Sequence, residues 1–572
     1  QTCALPISGV TFTSSNDAIT FGTSRILLGN GSDLVVNSTG GDISVVAITG
    51  TSVEDVTLNA AAGNVTVGVI GAADGQINDV TITGATINLG GFITTDDDGA
   101  GEGGDVDING NVILTAAVTI DTSDAGGAVD GTFNISGTVD GAFNLDIITD
   151  SAIAGIVGVI GGTTALATLD INKTAGATGA VTISNNIGAG AAGVTGALEI
   201  GNANTSTLTL AGTVYNANAA TYTAVAGDNI SLTAGADVTF TSSNDAITFG
   251  TANILLGNGS DLVVTTGSGA GNIGVVAITG NSVEDVTLSA GTGNVTVGVI
   301  GAAAAQINDV TLSGTTINLG GNINTDNDGT DLGDVDINGA VALAADVTIN
   351  TSAGDGTVNL SSTVDNGQNF VIASGAGAVV ITGGIGLTTA LTTLDINNAG
   401  GAGTITIDDI GDATVGVTAA TRIGNAATTN ITLGGTVYRT TGAQTYVAAA
   451  GNTIDLTSGA ATSITTTNTA INFTTGTIEL SDGSDLTVDS QGTGAGAVNI
   501  AGIKGDSLED VTLDAGADAL AVGQIGAVAS EINDVTLTGG TVTLSGNIST
   551  DNIGADLGDV DINEIGRASC RE

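Results

Sequence analysis

Two short stretches of this chain carry the spacing of an oxygen-ligand cation loop. Residues 95–99 read TDDDG and residues 325–329 read TDNDG, so each sets two Asp side chains two apart ahead of a glycine. Further acids follow at Asp105 and Asp107, and at Asp331, Asp334 and Asp336. Calcium takes about six to eight oxygen ligands, often from carboxylates alternating along a tight loop. The candidate ligands are therefore Asp96, Asp98, Asp326, Asp328, Asp331 and Asp334, with calcium as the expected ion. The third copy, DNIG at 551–554, lacks the second acid, which argues against an obligatory site. LGNGSDLVV, at 28–36 and 256–264, partly matches the calcium-binding nonapeptide GGxGxDxUx. It occurs once per long repeat rather than in tandem, and solvated turns are the competing reading of both motifs.

Other chemistry finds little support. The chain has no His, and Lys plus Arg total 7. General acid–base catalysis needs a carboxylate or imidazole of shifted pKa in a shaped pocket, often beside a cation that holds substrate. Glu54-Asp55, Glu284-Asp285 and Glu509-Asp510 are paired only in sequence, because neighbours on a strand face opposite ways. A role at the start of a strand or in a turn is expected for them. The one enzyme class worth weighing is a β-helical polysaccharide lyase or hydrolase, but Lys173, Lys504, Arg25, Arg422 and Arg439 fall at different phases of the repeats. The expectation is that the chain is not an enzyme.

The formal charge of −51 comes from missing bases rather than excess acids: 58 Asp and Glu in 572 residues is an ordinary fraction. Such a field disfavours nucleic acid and anionic lipid. Hydrophobic residues make up 41% and mean hydropathy is +0.39, so a core can form despite 91 glycines. Nine Phe, four Tyr and no Trp leave that core to Val, Ile, Leu and Ala. The ends stand apart, since residues 1–7 (QTCALPI) and 564–572 (EIGRASCRE) resemble translated short-read sequencing adapters and hold both Cys and the one Pro. They are set aside as adapter-like and expected to pack poorly. What remains has no thiol chemistry and no disulfide framework. It shows no signal peptide or anchor, elements expected to lie beyond this fragment.

Repetition dominates the chain. Residues 14–36 return at 242–264 with only Ser24-Arg25 replaced by Ala252-Asn253, an offset of 228. SVEDVTL at Ser52 returns at Ser282 and, as SLEDVTL, at Ser507; GDVDIN begins at Gly104, Gly333 and Gly558. The division is repeat unit 8–235, repeat unit 236–459 and a partial unit 460–563. Inside each unit, short β-branched runs recur every eight to twelve residues or so, bounded by Gly, Asn, Asp or Ser, with no helical stripe. The fold class is all-β. An elongated β-solenoid is favoured over tandem β-sandwich domains, which should repeat near one hundred residues with large aromatic cores. A narrow solenoid column is expected to exclude aromatics, to point Val56, Leu58, Val65 and Val67 inward, and to take roughly 20 to 30 residues per coil. Gly and Thr interrupt the most apolar interval, 151–169, so buried strands explain it better than a membrane helix.

GGTTALATLDIN at 161–172, repeated as GGIGLTTALTTLDIN at 383–397, resembles the β-strand-repeat, filamentous-haemagglutinin-like family of large bacterial surface proteins. TVYNANAATYTAVAGDNISLTAG at 213–235 and TVYRTTGAQTYVAAAGNTIDLTSG at 436–459 fit the same pattern. The resemblance implies secretion, a β-helical shaft and roles in adhesion or biofilm, and no secretion domain or anchor of that family is visible here. The expected function is a non-catalytic adhesin-like shaft at the bacterial cell surface or outside the cell. A calcium-stiffened S-layer-like or matrix protein is the alternative. An ice-binding face is weaker, because the Thr spacing is irregular. Expected partners are a host, surface or matrix ligand of unknown identity and other shafts through self-association, with no nucleic acid and no direct membrane insertion.

Overall fold

The computed structural model describes residues 9–564 except 30, 52, 73–74, 97–102, 124–128, 175, 282, 327–328, 330–331, 482, 491–495, 507 and 552–557. Among the described residues the regular elements are all β, with no helix, and the strands pair in parallel to form a β-solenoid of about 22 turns. The chain forms two compact units, one of Gln1–Gly280 and Leu288–Asn294, the other of Asn281–Thr287 and Val295–Glu572.

In the first unit each turn contributes to three parallel ladders. One ladder opens with Val10–Ser14, Leu34–Ser38 and Val56–Asn59 and passes to the start of Val80–Leu89. A second opens with Ile19–Phe21 under the starts of Ile43–Thr49 and Val65–Ile70. The third opens with Ile26–Leu27 under the ends of those same strands. Along the first ladder, partners lie 21 to 27 residues apart, as in Phe133↔Ala154 and Val106↔Phe133. That is the coil length expected from the sequence.

Alternation builds the core. Leu34, Val36, Ile43, Val45 and Ile48 are each at most 1% exposed, while Val35, Ser44 and Val46, which alternate with them, face outward. Each such side chain removed from water contributes about 1.5–3 kcal/mol, and the cost of ordering the chain offsets most of it. Val56, Leu58, Val65 and Val67 point inward as expected. No sandwich domains divide the described chain. Glycine is needed where one corner stacks backbone on backbone: a Cβ on Gly110 would sit 1.9 Å from the Gly84 carbonyl oxygen, one on Gly137 2.2 Å from that of Gly110, and one on Gly158 2.0 Å from that of Gly137.

The expectation that this core excludes aromatics is wrong. Nine of the thirteen aromatic residues are fully buried: Tyr215, Tyr222, Tyr438, Tyr446, Phe133, Phe240, Phe249, Phe370 and Phe473. Small neighbours make room, since the segment holding Tyr215 and Tyr222 also buries Ala217, Ala220 and Ala224. Rings then stack from turn to turn, Tyr215 on Phe240 at 4.8 Å and Tyr222 on Phe249 at 5.3 Å.

The 228-residue repeat is not a whole number of turns. Residues 10–21 and 238–249 have identical sequences. Val10–Ser14 lies on the first ladder, but its copy Val238–Thr241 pairs with Val214–Thr223 on the second, the ladder that reaches Tyr215 through Val139, Ile160 and Ile187. Ile19–Phe21 likewise moves from the second ladder to the third, where Phe249 pairs with Tyr222. One repeat thus spans about nine and one-third turns. The second unit shows the same slip by itself: Val535–Gly539, the copy of the start of Val310–Leu319, lies on the ladder that begins at that strand's other end.

Candidate functional site

At one corner of the first unit, four connections between described strands lie on successive turns. These are residues 28–33, 50–55, 71–79 and 95–105. Each ends in an Asp that opens a strand: Asp33, Asp55, Asp79 and Asp105. The carboxylates form a ladder of their own. Asp33 Oδ1 accepts the N–H of Asp55 at 3.1 Å, Asp55 Oδ1 that of Asp79 at 3.3 Å, Asp79 Oδ1 that of Asp105 at 2.9 Å, and Asp105 Oδ1 that of Thr132 at 2.7 Å. These N–H groups would otherwise have no strand partner at the corner, and a carboxylate is a strong acceptor for them. The second unit repeats the device through Asp285, Asp309 and Asp334, and again through Asp485, Asp510, Asp534 and Asp559.

Sequence reasoning missed this ladder although its signal was present. SDLVV, EDVTL and GDVDI mark the long repeat, and INDVTI stands between them at 77–82. They are also one strand-opening signature, Asp then Leu or Val, recurring at 22, 24 and 26 residues, which is the length of a turn.

The Glu beside each second Asp has a different task. Glu54, Glu284 and Glu509 are all 0% exposed. Glu54 Oε2 accepts the N–H of Thr51 at 2.6 Å, and its Oε1 accepts the Thr51 hydroxyl at 2.7 Å and the N–H of Gly31, one turn away, at 3.0 Å. Gly31 has φ +74°, which a side chain would strain. Glu509 does the same with Asp506 N–H at 2.9 Å and Gly483 N–H at 3.3 Å. Burial pushes the Glu509 carboxyl up, but the bonds from Asp506 and Gly483 outweigh it and hold the group below its ordinary value. The GNGSD turn and the SVED turn are thus two halves of a carboxylate clamp. This is the role at a strand start expected for the Glu-Asp pairs.

Of the six candidate calcium ligands, Asp98, Asp328 and Asp331 lie outside the described residues. Asp96 and Asp326 sit at the start of their loops, donating backbone N–H to Ile77 and Ile307 carbonyls at 2.9 Å. Asp334 Oδ1 accepts the N–H of Thr357 at 2.6 Å. Among the described residues no three acids are grouped so as to hold a metal ion.

Bases occur where outward acids stack. Asp146, Asp170 and Glu199 are cross-turn neighbours, and Lys173 pairs with Glu199 and, at 3.7 Å, with Asp170. Burial, then repulsion from Asp121, raises the Asp146 carboxyl; burial also raises Asp170, against the pull of Lys173. Arg422 pairs with Asp395 at 3.3 Å and Lys504 with Glu479 at 3.0 Å, each across one turn. Three of the five bases read as scattered are therefore local counter-charges.

The surface grooves are shallow, and most, such as the one bounded by Phe473, Ile500 and Val522, expose more apolar than polar lining. One of about 500 Å³ is lined by Thr86, Asn111, Thr138, Asp140, Thr163 and neighbouring residues. Asp140 is engaged there by the N–H groups of Thr163 and Thr164 at 2.8 and 2.9 Å. No known family, characterised protein or solved structure matches this chain.

Proposed function

We propose that this chain is a section of a non-catalytic, adhesin-like shaft displayed outside a bacterial cell. The supporting observation is where the carboxylates go. In each repeat the most regular polar groups, the Asp ladder and the Glu clamp, are engaged with backbone N–H of the neighbouring turn. Groups committed to holding turns together suit a scaffold better than turnover of a substrate. Scarcity of bases keeps acidic shafts apart by mutual repulsion. The family resemblance in the TLDIN and TVY segments adds adhesion as the purpose of the scaffold.

The test is retention. Beads coated with the full chain should be held on a matrix-coated surface under flow, and beads coated with an equally acidic unrelated protein should wash off. Equal loss of both would remove the adhesive reading. Release of reducing sugar from acidic polysaccharides by the purified chain would instead support the enzyme alternative.

A further inference from the structure

We infer that the stacked-loop corners of the second unit are recognition surfaces, and that their partner is a basic protein segment carrying apolar side chains. This rests on the shaft reading and names its partner class. The carrying observation is the placement of exposed apolar residues in the second unit. Apart from Leu544, Val560 and Ile562 on its last strands, the large apolar side chains exposed there among the described residues are Val283, Leu332, Leu508, Val528 and Val299. Four of these five stand on the stacked loops, at 40%, 49%, 52% and 92% exposure for Val283, Leu332, Leu508 and Val528. Val283, Leu332 and Leu508 each sit two residues before a ladder Asp, namely Asp285, Asp334 and Asp510.

An exposed aliphatic side chain on a soft loop would fold back on the surface. Here Val283 and Leu508 directly precede the buried clamps Glu284 and Glu509, so the loop that lifts them is fixed from below. Rigid apolar knobs set out of water are what an interface uses as anchors, because little ordering cost remains to be met on binding. Charge complementarity selects the occupant. Residues 505–559 hold no base, and exposed Asp506, Asp551 and Asp559 lie with half-buried Asp510, Glu531 and Asp534 on the turns of the corner that carries Leu508 and Val528, Glu509 being buried in its clamp. An acidic or neutral partner would bring its own repulsion or leave these charges facing apolar surface.

The fractional winding adds a geometric condition. Within the second unit, the corner holding Asp309 and the corner holding Asp534 follow one another by one ladder. Successive recognition corners therefore face different directions, separated along the stack by about nine turns of about 4.8 Å, or about 45 Å. A flat lattice or a second shaft lying in register would meet a corner only every third repeat. A segment or single domain smaller than about 45 Å fits one corner each.

The experiment uses the full chain and a fluorescent amphipathic peptide of Lys and Leu, with polylysine as the charge-only probe. Anisotropy titration at moderate salt should show the Lys–Leu peptide binding at least tenfold more tightly than polylysine. The variant Leu508→Asn/Val528→Ser should lose a part of the saturating sites, and Val299→Thr, off the corner, should lose none. Equal binding of both probes, or a corner variant indistinguishable from Val299→Thr, would overturn the inference. So would concentration-dependent dimerisation of the chain abolished by Leu508→Asn, which would make a second copy the occupant. Beads that adhere under flow while the corner variants bind peptide normally would leave the shaft reading standing and this inference refuted.

Discussion

Replacing Tyr222 and Tyr446 by Phe should have opposite effects on stability, although both rings are fully buried and occupy equivalent places in successive repeats. Tyr446 donates its hydroxyl to Gln444 Oε1 at 2.7 Å, and Gln444 Nε2 donates to the Tyr438 and Thr465 carbonyls at 2.9 and 2.8 Å. The equivalent of Gln444 is Ala220, and the Tyr222 hydroxyl has no partner. Tyr446→Phe would strand the Gln444 oxygen in the core at a cost of about 1–3 kcal/mol, whereas Tyr222→Phe removes a stranded group and recovers a similar amount. Both keep their ring stacks, on Phe473 and Phe249. A solenoid need not unfold in one step, so the assay is native-state hydrogen exchange on peptides covering 214–256 and 438–480. About 1.4 kcal/mol corresponds to a tenfold change in a local opening constant. Faster exchange in the Tyr446→Phe region and slower exchange in the Tyr222→Phe region are expected. Faster exchange in both would refute the reasoning, because it would mean the Tyr222 hydroxyl is satisfied.

Alkaline pH should weaken the fold: burial raises the hydroxyl pKa of Tyr215, Tyr222, Tyr438 and Tyr446, so the native state keeps protons that the unfolded chain releases above about pH 10. Tyrosinate absorbance should then appear together with loss of β circular dichroism rather than ahead of it. In mild acid the turns bearing Asp146 and Asp170 should exchange more slowly than at neutrality, since their raised carboxyls bind protons in the native state first. The Glu509 loop, whose carboxyl is held low, should do the reverse and loosen as pH falls through its native value. Glu54→Ala should cost about 2–3 kcal/mol, read as exposure of 28–33 and 50–55 to exchange, because it strands the N–H groups of Gly31 and Thr51. Chelator should leave the melting midpoint unchanged while added monovalent salt raises it by screening the acid ladders; a fall with chelator alone would assign calcium to the 95–105 and 325–334 loops.

The all-β solenoid was legible because period-two alternation and glycine-bounded runs act locally: Val56, Leu58, Val65 and Val67 could face only inward. The coil length was also within reach, since the Asp that opens each strand marks it, yet a motif seen once per long repeat conceals a motif seen once per turn. Aromatic burial was not legible. Whether Tyr222 fits depends on Ala220 and on Phe249 one turn later, which is a matter of register rather than composition. The Glu clamp was hidden for a related reason, because Glu54 meets Gly31 only after a complete turn. The one-third-turn slip follows from summed turn lengths of 21 to 27 residues, and no local pattern contains that sum.

The winding phase can be tested directly by cross-linking, in chains whose Cys3 and Cys570 are replaced by Ser. Thr221 and Thr248 are cross-turn partners, with Thr248 exposed. Adjacent turns lie about 4.8 Å apart, inside the span of about 4.4–6.8 Å that a disulfide bridges. Thr221→Cys/Thr248→Cys should therefore form an intramolecular disulfide on mild oxidation, and Asn216→Cys/Thr248→Cys should not. A bond in the second pair and none in the first would place residues 238–249 on the ladder used by residues 10–21, and the repeat would then be a whole number of turns.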